Sequence, residues 1–428
     1  MGAKRMSLYE QAVALAPVDR LVWASQWRQQ AISALQSVSL PSARDEDWKY
    51  TTLRSLERAQ LVTAPRQASN DAVSLPASFA GRTLVFVDGH YDTSLSDSSA
   101  IDDLDVTALS AIESDPQFDN WLGKLPEGNA ESLATLNTAM MTDGVLVRVG
   151  ATVADPIAVV FLSNGSTERA LPSSFVRNII QAESGAGVSI VEFHASATAG
   201  KSLSHSWTQL NVEKGATVEL SRMYAHGEAA QLVTRLDAEL AASSTLRLHN
   251  LDVGGKLTRH DINVELKGEG ANLLIGGAYV ADGRSHIDQH HRVDHRVPNC
   301  TSNDVFRGVV AGKGRAVFNA KAIVHPGADG TEAHQNNANL MLSRDSEVDT
   351  KPELQIHADD VKCSHGATIG QLDETAMFYL RTRAIAEADA RALLTEGFCT
   401  EALQTITDES TRVWFTQALA TKLRGQST

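Results

Sequence analysis

The stretches Glu183-Ser184-Gly185-Ala186-Gly187-Val188-Ser189-Ile190-Val191 and Glu213-Lys214-Gly215-Ala216-Thr217-Val218-Glu219-Leu220 are two versions of one phrase. Each has a polar entry, a glycine turn, and a short run in which apolar side chains alternate. The phrase returns more weakly as Ser243-Ser244-Thr245-Leu246-Arg247-Leu248, again as Glu269-Gly270-Ala271-Asn272-Leu273-Leu274-Ile275, and last as Lys313-Gly314-Arg315-Ala316-Val317-Phe318. Aligned on residues 185, 215, 243, 270 and 314, the steps are 30, 28, 27 and 44. A turn-plus-strand unit recurring about every 28 residues marks a solenoid, in which each strand lies beside the previous copy and buries alternate side chains. The repeat favours a parallel β-helix, with the longer last step holding an insertion or a second coil. An antiparallel β-sandwich or jelly roll, also rich in short strands and glycine turns, is the alternative.

Outside the repeat the grammar is helical. Ser7 can cap a helix that Pro17 stops, and Asp19 can cap another. Leu21, Ala24, Trp27, Ala31, Ile32 and Leu35 form an apolar stripe, with Trp23 and Trp27 as packing residues. The motif Leu40 to Thr51 joins a proline, a charge cluster and the aromatics Trp48 and Tyr50, and reads as a helix start with a solvated face. Residues 61–82 read as a linker, Leu84 to His90 as a strand ending in a turn, and Ala108 to Gly123 as weakly helical. Leu133 to Met141 reads as a helix packed over the segment after it, and Val145 to Val149 as a strand. Beyond Asp373 the spacing predicts three helices: one carrying Met377, Phe378, Leu380 and Ile385, one from Glu387 to Glu396 with Gly397 in the C′ place, and one from Leu403 to Leu423. Such helices protect a solenoid's last edge or dock a partner. The chain divides into an N-terminal helical region and linker (1–82), a β-helix core (83–370) and a C-terminal helical region (371–428).

Bulk properties narrow the function. A net charge of −14 with no basic run argues against nucleic acid or an anionic membrane as partner. No run of about 18 apolar residues offers a membrane span. The first six residues lack the apolar region of a signal peptide, and Met6 stands where myristoylation after Gly2 wants Ser or Thr. Cys300, Cys363 and Cys399 are too few and too scattered for a disulfide framework, which fits a reducing, cytoplasmic setting. Four thiolates cannot come from one copy, so a cluster bound here needs His, carboxylate or a second chain.

Two stretches carry metal-binding chemistry. In Asp359-Asp360-Val361-Lys362-Cys363-Ser364-His365-Gly366-Ala367-Thr368, where the β grammar stops, Cys363 and His365 stand two apart and share a face if the segment is extended. A buried Cys beside a hydrogen-bonded His is the plainer reading. Eight of the fourteen histidines lie from His286 to His365, most densely in Ser285 to Val297. As a strand, Ile287, His291, Val293, His295 and Val297 take one face, and His286, Asp288, His290, Arg292, Asp294 and Arg296 the other. This parse separates apolar from charged better than a helix does, and Pro298 opposes a helix. A metal-binding cupin would show His-x-His followed by Glu, which is absent. Gly308 to Gly314 imitates a phosphate loop, but its glycines are one residue too close and Gly314 replaces the Mg²⁺-binding hydroxyl. Gly185-Ala186-Gly187 lacks the third glycine of a dinucleotide loop, and no self-sufficient active site emerges.

The run from His290 to Phe398 resembles the SufB/SufD family of iron–sulfur assembly scaffold proteins. The resemblance rests on Gln289 to Val293, Phe306-Arg307-Gly308, Val317-Phe318-Asn319, and Thr331 with Gln335, Asn337, Asn339 and Leu340. It continues through Lys351-Pro352-Glu353-Leu354, Asp359 to Thr368 and Phe378-Tyr379-Leu380-Arg381, and Pro41 to Thr51 fits the SufD-like branch. SufB-like chains read more like Glu-His-Glu-Ala-Thr where this one has Cys-Ser-His-Gly-Ala-Thr. Ala320, Asp329-Gly330 and Arg383-Ala384-Ile385 depart from the family pattern. The resemblance implies a mainly β protein: a right-handed parallel β-helix between helical ends, acting as a non-enzymatic cytoplasmic scaffold. It implies a SufB-like partner joined through the β-helix and a SufC-like ABC-type ATPase on the C-terminal helices. Phe378, Tyr379, Arg381, Ile385, Leu393 and Phe398 are the candidate docking contacts. It implies a transient iron–sulfur cluster shared with the SufB-like chain, with His365 as iron ligand and Cys363 beside it, and no cofactor stably held by the lone chain. Self-pairing of the lone chain, a purely structural β-helix subunit and a cupin-like metalloprotein are the alternatives.

Overall fold

The computed structural model describes residues 6–425 apart from 19, 65–74, 100, 102, 103, 114–116, 118–121 and 124. Gly2 and Asp19 fall outside the described residues, as do residues 65–74 of the expected linker.

Two long parallel sheets form the molecule's middle, and the chain alternates between them coil after coil. The second sheet holds the first four quoted phrases among its strands Ile157–Ser163, Gly187–Ser196, Thr217–Ala225, Thr245–Asp252, Asn272–Ala281, Thr301–Val310, Thr331–Met341 and Val361–Gly370. The first sheet holds the intervening strands, from Val145–Val149 and Ala170–Ala182 to His286–His295, Arg315–Val324 and Glu347–Ile356. Neighbouring strands pair in parallel, Val188 beside Val218, then Leu246, then Leu273. The parallel β-helix is therefore the fold, and the sandwich alternative falls. Its core is the alternating apolar set read from the repeat, including Ile190, Leu220, Leu248 and Ile275.

One open point of the repeat is settled, in favour of a second coil over an insertion, and one detail is corrected. The long step between residues 270 and 314 hides a whole coil, whose strand begins at Thr301. Its turn is carried by Asn299 at φ 59, as Ser243 carries another at φ 56, where the clearer copies have Gly185 and Gly215. Asn is the residue after glycine that best tolerates this left-handed conformation. Gly314 precedes Arg315–Val324, so the fifth copy belongs to the first sheet.

The outer faces are covered differently. Helices Leu8–Leu15, Ser25–Leu35 and Ser132–Met140 lie over the first sheet, with Leu35, Trp48, Leu133 and Leu136 packed on Phe175, Leu203, Val233 and Leu257. Ser7 caps the first helix with a full capping box. The Glu46–Trp48 turn is 3₁₀ rather than α, because Trp48 turns inward instead of leaving a solvated face. Residues 60–63 form a strand paired with 170–173, so the expected linker begins as sheet. Ala108 ends a strand, Asp105–Ala108, paired with Val145–Val149, where weak helix was expected.

Over the second sheet lie helices Glu387–Leu403 and Glu409–Gly425, burying Cys399, Leu403, Ile406, Phe415, Leu419 and Leu423 on Met223, Leu251, Ala278, Val280 and Val309. The first of these runs straight through Gly397. Packing of Cys399, Ala402 and Leu403 outweighs the ~1 kcal/mol that a mid-helix glycine costs. Asp373 caps the short helix Glu374–Thr382, which buries none of its residues. Ile385 lies beyond that helix's end, after Ala384 at φ 62. The C-terminal helices thus cover a sheet face, and the solenoid's last edge stays open.

Candidate functional site at the open end

Both sheets stop at the same coil. Glu347–Ile356 and Val361–Gly370 are partly exposed along their whole lengths, in contrast to the buried strands before them. Val361–Gly370 pairs on one side with Thr331–Met341, placing Cys363 beside Ala333 and His365 beside Gln335. Followed downward, the Cys363 file runs through Ala333, Ser302, Leu273, Leu246 and Val218, all interior positions. The His365 file runs through Gln335, Asp304, Ile275, Leu248 and Leu220. Cys363 and His365 therefore share the inward face, as the spacing predicted, on the rung where the interior meets the outside.

Partial burial pushes the Cys363 thiol up, which favours its protonated form. His365 is exposed. The other two cysteines are elsewhere. Cys300 donates to Gly268 O at 3.3 Å in the hidden coil's turn, and Cys399 is buried beneath the helices with its thiol pushed up to about 12. Among the described residues no group of three or more His, Cys, Asp or Glu is arranged to hold a metal ion. The site offers a thiol and an imidazole on one face of a strand, from residues whose Cα atoms are about 7 Å apart.

The open end leads directly into the short helix. A groove of 770 Å³ lies between them, lined by Met341, Leu342, Ile369, Leu372, Met377 and Phe378 among others. Phe378 is 69% exposed, Tyr379 58% and Leu393 51%. Arg381 lies 3.6 Å from Glu387. Phe398 is set apart from these: it is partly buried, with the Arg307 guanidinium 5.9 Å from its ring. Ile385 is likewise half-buried.

The His-rich strand has another role. Ile287, His291, Val293 and His295 point inward and Asp288, His290 and Arg292 outward, the parse read from the sequence. Asp288 receives Arg259 Nη1 at 2.6 Å and the Thr51 hydroxyl, while Arg259 also reaches Asp47 O at 2.8 Å and stacks 3.7 Å from the Trp48 ring. Burial alone would raise the Asp288 carboxyl, but Arg259 and His290 hold it well below the usual range. The Pro41 to Thr51 motif thus fastens the N-terminal region to the first sheet, a role its own sequence does not disclose. A polar cleft of 110 Å³ remains beside it, whose cations Arg235, Arg259, Arg292 and Lys321 each already face a carboxylate.

A second anchor holds the C-terminal helices. Glu219 accepts from His249 Nε2 at 3.1 Å, Thr407 N at 2.8 Å and the Thr407 hydroxyl. Desolvation would raise this carboxyl, but these bonds bring it down to about 2. The phosphate-loop imitation is the end of a strand and a turn into the next strand, with no helix to cradle a phosphate. No helix among the described residues is long and apolar enough to cross a membrane.

Residues 161–398 match the family model for the SufBD core domain of SUF-system FeS cluster assembly, and residues 3–159 that for the SufBD N-terminal region. The chain is 29% identical over 403 residues to the iron–sulfur cluster assembly protein SufD of Escherichia coli, covering 93% of this chain and 92% of that one. It is 32% identical over 419 residues to an iron–sulfur cluster assembly SufBD family protein of Synechocystis, covering 94% and 91%. It is 27% identical over 400 residues to the chloroplastic protein ABCI7 of Arabidopsis thaliana, covering 88% and 81%.

Proposed function

This chain belongs to the SufBD family of SUF-system iron–sulfur cluster assembly proteins, and we propose that it is a scaffold whose open coil supplies half of the site where a nascent cluster is built. The observation that carries this reading is the coincidence of three things on one rung: the end of both sheets, an inward thiol and an inward imidazole. A SufB-like chain ending in its own open coil completes the rung and contributes the remaining ligands. His365 gives neutral imidazole nitrogen to iron, and its weaker hold relative to thiolate eases later transfer of the cluster. Cys363 loses its proton as the cation arrives. The cluster is cargo of the complex, not a resident cofactor.

The ATPase function falls to a SufC-like partner, and the exposed aromatic pair Phe378 and Tyr379 with Leu393 is its docking surface. The short helix connects that surface to His365 through a few residues after Gly370. Motion there reaches the assembly strand, while Glu219 and His249 hold the two longer helices in place. In the complex co-expressed with SufB-like and SufC-like chains, H365A lowers the iron and sulfide retained by about tenfold or more, the scale expected for losing one ligand or its support. Undiminished cluster formation would remove His365 from the mechanism. If C363A and H365A together also leave clusters intact, the chain is a purely structural subunit.

A further inference from the structure

Beneath the last coil, the file of side chains that ends at His365 changes character. The file ending at His365 is aliphatic through Ile190, Leu220, Leu248 and Ile275 and then becomes Asp304 and Gln335. Asp304 crosses the interior to His291 Nδ1 of the first sheet at 2.7 Å. Gln335 is 5% exposed. With its amide oriented to satisfy both ends, it donates to Ala320 O at 3.2 Å and accepts from Ala322 N at 3.1 Å, again on the first sheet. On the adjoining file, Asn337 Oδ1 accepts from Thr350 Oγ1 at 3.0 Å and from Asn339 Nδ2 at 2.6 Å. Polar ties between the sheets also occur in earlier coils, as where Asp252 meets His260 Nε2 at 2.8 Å and accepts from Gln289 Nε2 at 2.7 Å. In the file of His365, however, they begin only at Asp304, and Asn337 on the next-to-last strand of the second sheet reaches Thr350 on the final strand of the first.

The change has a physical reason. Apolar contact is non-directional and needs exclusion of water, which a coil with an open end does not provide. A hydrogen bond fixes distance and direction. Ala320 and Ala322, both buried and small, leave the space in which Gln335 reaches their backbone. Gln335 is also the residue directly beside His365 in the ladder.

We propose that Gln335 is a positioning residue for His365: its amide ties the two sheets together immediately beneath the last strand and so fixes where Cys363 and His365 face. The proposal rests on the assembly-site reading above. Asn337 with Thr350 is the supporting tie. The motif residues Gln335, Asn337 and Asn339 thereby acquire a part that neither metal binding nor docking gives them.

The test uses Q335L, which keeps volume but bonds neither backbone group, and Q335E, which keeps the acceptor for Ala322 N. Hydrogen–deuterium exchange is read on the full chain, and cluster yield and cluster electron paramagnetic resonance on the co-expressed complex, beside H365A. In Q335L, exchange in 347–356 and 361–370 rises about tenfold while 187–252 is unchanged. Cluster yield falls toward the H365A level, the residual cluster has an altered resonance spectrum, and Q335E lies between Q335L and the unsubstituted chain. Unchanged exchange in Q335L overturns the proposal. So does raised exchange with full yield and an unaltered spectrum, when H365A loses its clusters. Full yield in H365A would instead overturn the assembly reading and with it Gln335's part in assembly; the tie itself would then stand or fall on exchange alone.

Discussion

The coil around Leu248 and the coil of His365 have the same backbone and opposite surroundings. Leu248 is 0% exposed, with strands on both sides, the facing sheet across the interior and helices over its outer face. His365 sits on a strand with a partner on one side and nothing beyond it. In the first coil the strand fills the core with Leu246 and Leu248 and closes over Asp252, which is bonded to His260 and Gln289. The second keeps the same ladder but carries a half-buried thiol and an exposed imidazole on its last strand, above the buried amides of Gln335 and Asn337. On the proposed reading this solenoid separates stability from function along its axis: stability comes from the closed middle and chemistry from the end.

The largest expected effect tests whether the middle also depends on its covers. D288A removes a carboxylate 2.6 Å from Arg259, both side chains being 1% exposed. Leaving that guanidinium with Asp261 alone costs about 3–5 kcal/mol in urea unfolding, the range for breaking a buried pair. A loss under about 1 kcal/mol would show that the N-terminal cover contributes little.

A matched pair sharpens the axis itself. L248A costs about 2–5 kcal/mol, the range for a buried leucine. I369A, at a position 48% exposed on the last strand, costs about 0.5 kcal/mol in the lone chain, as surface changes do. Equal losses would break the comparison.

The smallest effect is graded and depends on pH. Burial pushes His205 and His226 down to about 3 and His295 to about 4, against 6.5 when exposed. These rings stay neutral in the fold while the unfolded chain protonates its own, so stability falls as pH drops from about 6.5 toward 4. The Glu219 contribution, held at about 2 against 4.5, is present above 4.5 and is lost as pH falls from there toward 2. Urea midpoints at pH 7, 5.5 and 4.5 should decline in that order. A flat profile would mean that the buried histidines do not resist protonation.

The sequence made the solenoid legible because each coil repeats a glycine turn and an alternating strand. It left one coil undecided against an insertion, because Asn299 adopts a glycine-like conformation without being glycine. The strand parse of Ser285 to Val297 was readable because alternation separates the two faces of a strand whatever lies on them. That Cys363 and His365 share a face was readable from their spacing, but that the face is the inward one was not, nor was its place at an open edge, since an amphipathic helix shows which face it buries without naming the surface beneath. Gln335 and Asn337 carry no such signal. Polar residues in an alternating strand ordinarily mark the solvent side, and only the facing strand reveals them as internal ties. Thr51 and Trp48 find their partners more than two hundred positions away, at a separation no local pattern spans.

The shared end of the two sheets bears on how much of this chain a cell can hold free. A strand edge with unpaired amides and carbonyls is a template for another strand. Pro352 removes one amide from the edge strand Glu347–Ile356, whereas Val361–Gly370 contains no proline to blunt it. Copies made in excess of their mates therefore meet one another at a rate that rises with the square of their number, and supply of the chain must be matched to supply of whatever covers that edge.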